Sequence, residues 1–135
     1  MNAPAEPRGD PVRVIADLRE LARRTGGPGG ARRVCWSDEW RTARDFLTDL
    51  LAEIDLEPER DQAGNLWAYL EGEGEPALAL GSHVDSVPSG GWLDGALGVM
   101  AALGVLRAWA ESGRRPPRTL ALVDWADEEG ARFGR

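Results

Sequence analysis

A chain of 135 residues with 42% hydrophobic and 29% charged side chains has the composition of one soluble globular domain. Its 16 basic residues are all arginine, against 23 acidic ones for a net charge of −7, which excludes a nucleic-acid partner unless the arginines form a local patch; they are scattered. No run of about 18 apolar residues is present to span a membrane, and the single cysteine, Cys35, allows no internal disulfide, so a cytoplasmic location is expected.

Residues 1–10 are polar and Pro-rich and are expected to be disordered, forming neither a secretory signal nor an anchor. Asp10 as N-cap and Pro11 at the first helical position predict a helix to about Arg24, with Ile15, Leu18, Leu21 and Ala22 on one apolar face. The glycine-rich TGGPGG segment breaks the chain. Ser37 caps a second predicted helix, in which Trp40, Ala43, Phe46, Leu47, Leu50, Leu51 and Ile54 recur at helical spacing as a core stripe. LEPERD and NLWAYLEG flank the turn residues Ala63, Gly64 and Asn65 and read as a β-hairpin. The runs ALALGS and TLALVDWA read as strands buried on both faces; between them, Gly95 to Glu111 sets Val99, Leu103, Leu106 and Trp109 on a helical face. Strand, helix, strand with this connection length is a βαβ unit with parallel strands and a right-handed crossover, so the fold class is α/β. The six tryptophans are expected to be packing residues, with Trp92 also able to line a cleft.

In open α/β sheets, ligands bind beyond the carboxyl ends of the strands. His83, the sole histidine, and Asp85 follow ALALGS; Asp94 precedes the crossover helix; Asp127, Glu128 and Glu129 follow TLALVDWA. All of these groups therefore collect on one edge. Residues two apart on an extended segment point the same way, which lets Asp85 accept one ring N–H of His83 and turn the other nitrogen toward a metal. Asp94 has two oxygens with which to bridge two metals, and Gly90, Gly91 and Gly95 let the backbone turn back over His83. The neighbouring carboxylates of Glu128 and Glu129 repel unless a dication relieves them, one ligating it and the other accepting a proton. Taken one at a time each residue has an ordinary explanation: a core or surface histidine, a solvated acidic turn, a helix cap. Their shared edge favours the metal-site reading.

The stretches GSHVDSVPSGGWLDGALGV (81–99) and DWADEEGARFG (124–134) resemble the dinuclear-metal amidohydrolases that include N-carbamoyl-L-amino acid hydrolase and allantoate amidohydrolase, a branch of the zinc aminopeptidase-like metallopeptidase group. GGWLDG and EEGARFG look like the branch that cleaves non-peptide C–N bonds. The resemblance implies a three-layer sandwich with a mixed, partly parallel sheet, incomplete in this chain: residues 11–135 would be the N-terminal part of a metal-dependent catalytic domain, without its remainder and its dimerisation lid. It implies His83, Asp94 and Glu129 as metal ligands, with Asp94 bridging, Asp85 orienting His83, and Glu128 as general base. Two divalent ions, zinc or manganese with cobalt or nickel as further candidates, would activate water against the carbonyl of a small-molecule N-carbamoyl amino acid or allantoate-like ureido acid, in an enzyme that is a homodimer when complete. Three such ligands are too few for two catalytic metals, so the chain alone is expected to be inactive. Two alternatives are a non-catalytic remnant or interaction module, which would take up no stoichiometric metal, and cleavage of dipeptides or N-acyl amino acids.

Overall fold

A computed structural model describes residues 5–134. Helix α1 (Pro11–Thr25) opens as expected: Asp10 Oδ1 accepts from the Val12 and Arg13 N–H groups at 2.9 and 3.2 Å, and Pro11 occupies the first turn, where a missing donor costs nothing. The glycine-rich break is itself a small antiparallel pair, β1 (Gly26–Gly27) and β2 (Gly30–Ala31). Helix α2 (Asp38–Ala52) is capped by Ser37, whose Oγ accepts from the Trp40 N–H at 3.1 Å, and buries Trp40, Ala43, Phe46, Leu47, Leu50 and Leu51. The hairpin joins β3 (Glu59–Arg60), shorter than LEPERD suggests, to β4 (Leu66–Leu70). The βαβ unit follows: β5 (Leu78–Ser82), α3 (Ala96–Glu111) and β6 (Leu120–Asp124).

Four strands form one mixed sheet in the order β3-β4-β6-β5, antiparallel except for the parallel pair β5–β6. Strand alternation divides it into two faces. Leu66, Ala68, Leu120 and Leu122 enter one core with Leu18 and Leu21 of α1, the α2 stripe, and Val99, Met100, Leu103 and Leu106 of α3. The opposite parity, with Trp67, Tyr69 and Ala79, lies outside that core, and Tyr69 is 45% exposed. The described residues thus build a helix layer and a sheet layer of the expected sandwich, and the sheet is open.

Two expectations change. Strand β5 is not buried on both faces: among the described residues it pairs with β6 alone and no helix covers its outer face, where Ala79 is exposed, and even Leu78, on the face toward α3, is 51% exposed at the strand's start. Ile15 is 46% exposed because its flank of α1 opens on a groove shared with Leu97 and Val105 of α3. Of the stretch expected to be disordered, residues 1–4 lie outside the described residues; residues 5–10 carry no regular structure, yet Gly9 lies against Gly104 of α3 and the Ala5 carbonyl accepts from Arg114 Nη1 at 3.0 Å. Among the described residues no helix is long and apolar enough to cross a membrane.

Candidate functional site

The site lies where the β5–β6 ladder ends. The last register pair is Ser82 with Asp124, and beyond it the chain after β5 carries His83, Val84, Asp85 and Ser86, all buried. Strand pairing no longer supports the backbone there, and side chains replace it. The Val84 N–H donates to Asp124 Oδ1 at 2.7 Å, and the Val84 carbonyl accepts from Arg33 Nε at 2.6 Å. Asp124 is in turn held by Arg44, whose Nε reaches Oδ2 at 2.7 Å and whose Nη2 reaches the Asp124 carbonyl at 3.2 Å, while Nη1 donates to the Gly64 carbonyl at 2.6 Å. Burial pushes the Asp124 carboxyl up to about 6, and the Arg44 charge and the Val84 N–H oppose that rise.

His83 and Asp85 meet as the two-residue spacing requires. His83 Nδ1 lies 3.0 Å from the Asp85 carbonyl oxygen and 3.3 Å from Asp85 Oδ1, a buried oxygen without an aligned donor. The N–H of Nδ1 is therefore directed mainly at the main-chain oxygen, and Nε2 faces outward. Nε2 stands 3.3 Å from Glu128 Oε2 and 4.0 Å from Asp94 Oδ1. With the Asp85 carboxylate beside it as the largest cause, and burial opposing, the imidazole is raised to about 9.

Asp94 does not cap α3. The N-cap is Gly95, with φ +66 and no side-chain cap bond. That glycine lies against the His83 carbonyl and imidazole ring so closely that a β-carbon would overlap both; of the three glycines expected to help the turn, this one makes the contact. The acidic turn after β6 is shaped by Asp127, at φ +53, whose carboxylate accepts from the Arg132 and Phe133 N–H groups at 3.2 Å each. Glu128 and Glu129 ride on this turn, and the Glu129 N–H donates to Asp85 Oδ2 at 3.3 Å. The Glu129 carboxyl is raised by burial and then by the negative charge of Asp94.

His83, Asp85, Asp94, Glu128 and Glu129 thus come from three separate segments to one sheet end. Among the described residues, however, no three His, Cys, Asp or Glu side chains form a group able to hold a metal ion. One imidazole nitrogen amid carboxylates suits a borderline divalent cation, so the donor chemistry fits while the number of donors does not complete a coordination shell. Trp92, a possible cleft residue, is 41% exposed. Sequence reasoning passes over Arg33, Arg44, Asp124 and Asn65, whose Oδ1 accepts the Ala126 N–H at 2.9 Å and ties the loop after β6 to the hairpin. Asn65 stands out in the sequence only as a turn residue, and Arg44 only as a charge set within the apolar stripe of α2.

The sequence model of peptidase family M28 matches residues 65–134, more than half of the chain and both motif segments. The chain belongs to that family. It is 36% identical over 107 residues to an allantoate amidohydrolase of Bacillus subtilis, which covers 78% of this chain and 26% of the relative. It is 37% identical over 126 residues to an N-carbamoyl-L-amino-acid amidohydrolase of Paenarthrobacter aurescens, 90% of this chain and 30% of the relative. A hydantoinase/carbamoylase family amidase from Burkholderia ambifaria superposes with a TM-score of 0.89 at 34% identity, over 96% of this chain and 32% of that one. The family is one of enzymes, its solved members share this α/β fold, and the chain spans about a quarter to a third of the length of the relatives it matches.

Proposed function

We propose that this chain contributes half of a divalent-metal site to a hydrolase of ureido C–N bonds, acting on N-carbamoyl amino acids or allantoate-like acids. The observation that carries this is the outward His83 Nε2 with the Glu128 carboxylate at 3.3 Å and Asp94 at 4.0 Å, in a family whose matched relatives are named for such substrates. His83, Asp94 and Glu129 would hold zinc or manganese. A cation bound there supplies positive charge that polarises a carbonyl oxygen and makes water easier to deprotonate. Glu128 Oε2 accepts the proton of the attacking water and returns it to the leaving nitrogen. Asp85 holds the Nδ1 side of His83, and so keeps Nε2 aimed outward.

Two metal ions need more donors than this cluster offers, so turnover is assigned to the polypeptide or assembly that completes it, as a homodimer acting in the cytoplasm. Glu128→Gln in that complete enzyme is expected to abolish hydrolysis of a carbamoyl amino acid while metal stays bound; wild-type turnover would remove Glu128 as the base. The family also bears the name of peptidases, which keeps dipeptide cleavage as a second reading. Parallel assays on a carbamoyl amino acid, allantoate and a dipeptide decide between them, since cleavage of the dipeptide alone would overturn the ureido substrate.

A further inference from the structure

Arg33 is fully buried, and its bonding differs from that of the other buried arginines. Arg44 is ion-paired to Asp124 and Arg107 to Asp17, whereas Arg33 makes its hydrogen bonds to neutral groups. Nε donates to the Val84 carbonyl at 2.6 Å, and Nη1 and Nη2 make longer contacts, 3.4 Å to Thr25 Oγ1 and 3.5 Å to the Trp92 carbonyl. Its backbone is laced to the same loop: the Arg33 N–H donates to Ser86 Oγ at 2.9 Å and the Ser86 N–H to the Arg33 carbonyl at 2.9 Å. Two residues earlier, Ala31 and Gly90 form a two-bond antiparallel bridge. Burying a guanidinium without a bonded anion is unfavourable, so core packing alone does not account for arginine here. The nearby charges of Asp85 and Asp124 partly compensate it.

What Arg33 grips is informative. Val84 separates His83 from Asp85, and it lies past the end of the strand ladder. Its N–H is taken by Asp124, 40 positions along the chain, and its carbonyl by Arg33, 51 positions back. A backbone residue held on both sides has little freedom to rotate, and such a rotation would swing His83 and Asp85 apart. Through Nη2 the same guanidinium touches the turn that brings Asp94 and Gly95 over the imidazole.

We infer that Arg33 is a positioning residue for His83, fixing through Val84 the face that the imidazole presents to Asp94 and Glu128. This rests on the reading of His83 as a metal-binding side chain. Arg33 touches neither metal nor substrate in that role.

The test uses the full chain, and its single histidine makes the imidazole signals unambiguous. In wild type, the Gly95 α-proton should show a strong nuclear Overhauser contact to the His83 ring. Arg33→Met is expected to weaken that contact, shift the ring proton and nitrogen signals, and lower zinc affinity by about 10–100-fold in calorimetry. Arg33→Lys keeps the charge but cannot reach the Val84 and Trp92 carbonyls together, so its ring signals should move the same way. Arg107→Met, a buried arginine of the α1–α3 contact, serves as the structural control: it should lower the melting temperature without changing the His83 ring. Wild-type ring signals in either folded Arg33 variant would overturn the inference. If zinc in excess leaves the wild-type His83 ring signals unshifted, the reading of His83 as a metal-binding side chain fails instead, whereas the ring signals of the metal-free chain test Arg33 independently of it.

Discussion

Gly95 carries the tightest constraint at the scale of single residues. It combines φ +66 with an α-carbon packed on the His83 ring, and no other amino acid meets both conditions without movement. Gly95→Ala is expected to cost ~1–3 kcal/mol in backbone strain alone and to push the imidazole away from Asp94 and Glu128. A lowered melting temperature together with an altered histidine ring signal would show this; an unchanged ring would mean that the loop absorbs the methyl group elsewhere. Cys35, by contrast, is buried and its thiol is pushed up to about 11 by burial, so it stays protonated and packs as a small apolar residue.

Among the elements, the β3–β4 hairpin owes its turn to one carboxylate. Asp61 accepts from the Ala63 and Asn65 N–H groups through Oδ1, and from Asn65 Nδ2 and the Trp67 indole through Oδ2. The Trp67 bond first, and then Asn65, lower the carboxyl to about 2. A carboxylate lowered in the folded state stabilises the fold above its ordinary range, and that contribution disappears as pH falls through the lowered value. The turn should therefore persist from neutral pH to about 4 and loosen between about 4 and 2. The Trp67 indole N–H resonance should titrate with a midpoint near the lower figure; a midpoint near 4 would mean that the indole bond is not formed in solution. The hairpin matters to the site because Gly64 and Asn65 at this turn bond Arg44 and the Ala126 N–H.

Over the whole molecule, the uncovered side of the sheet is one of the apolar surfaces left open, beside the α1–α3 groove at Ile15, Leu97 and Val105. Edge strand β5, Tyr69 at 45% and Trp125 at 42% exposure leave apolar surface and unpaired backbone groups open to water. The chain alone should associate as its concentration rises, and Ala79→Lys on the exposed face of β5 should reduce that association in sedimentation experiments; a strictly monomeric wild type would contradict this. That His83, Asp85, Asp94, Glu128 and Glu129 gather at one end of the sheet was legible in the sequence because the signals are local: a spacing of two past a strand, a carboxylate and glycine before a helix, an acidic pair past the next strand. The α2 stripe and the parallel β5–β6 pair were legible for the same reason, since periodicity and connection length act over a few turns of chain. Other features were decided only by tertiary structure. The composition of ALALGS shows how apolar β5 is, but burial depends on what covers it, and among the described residues β5 has one strand beside it and a helix, α3, on one face only. Arg33 and Asp124 reach Val84 from 51 and 40 positions away, a distance over which no local pattern signals a hydrogen bond; only the folded chain brings those donors and acceptors together.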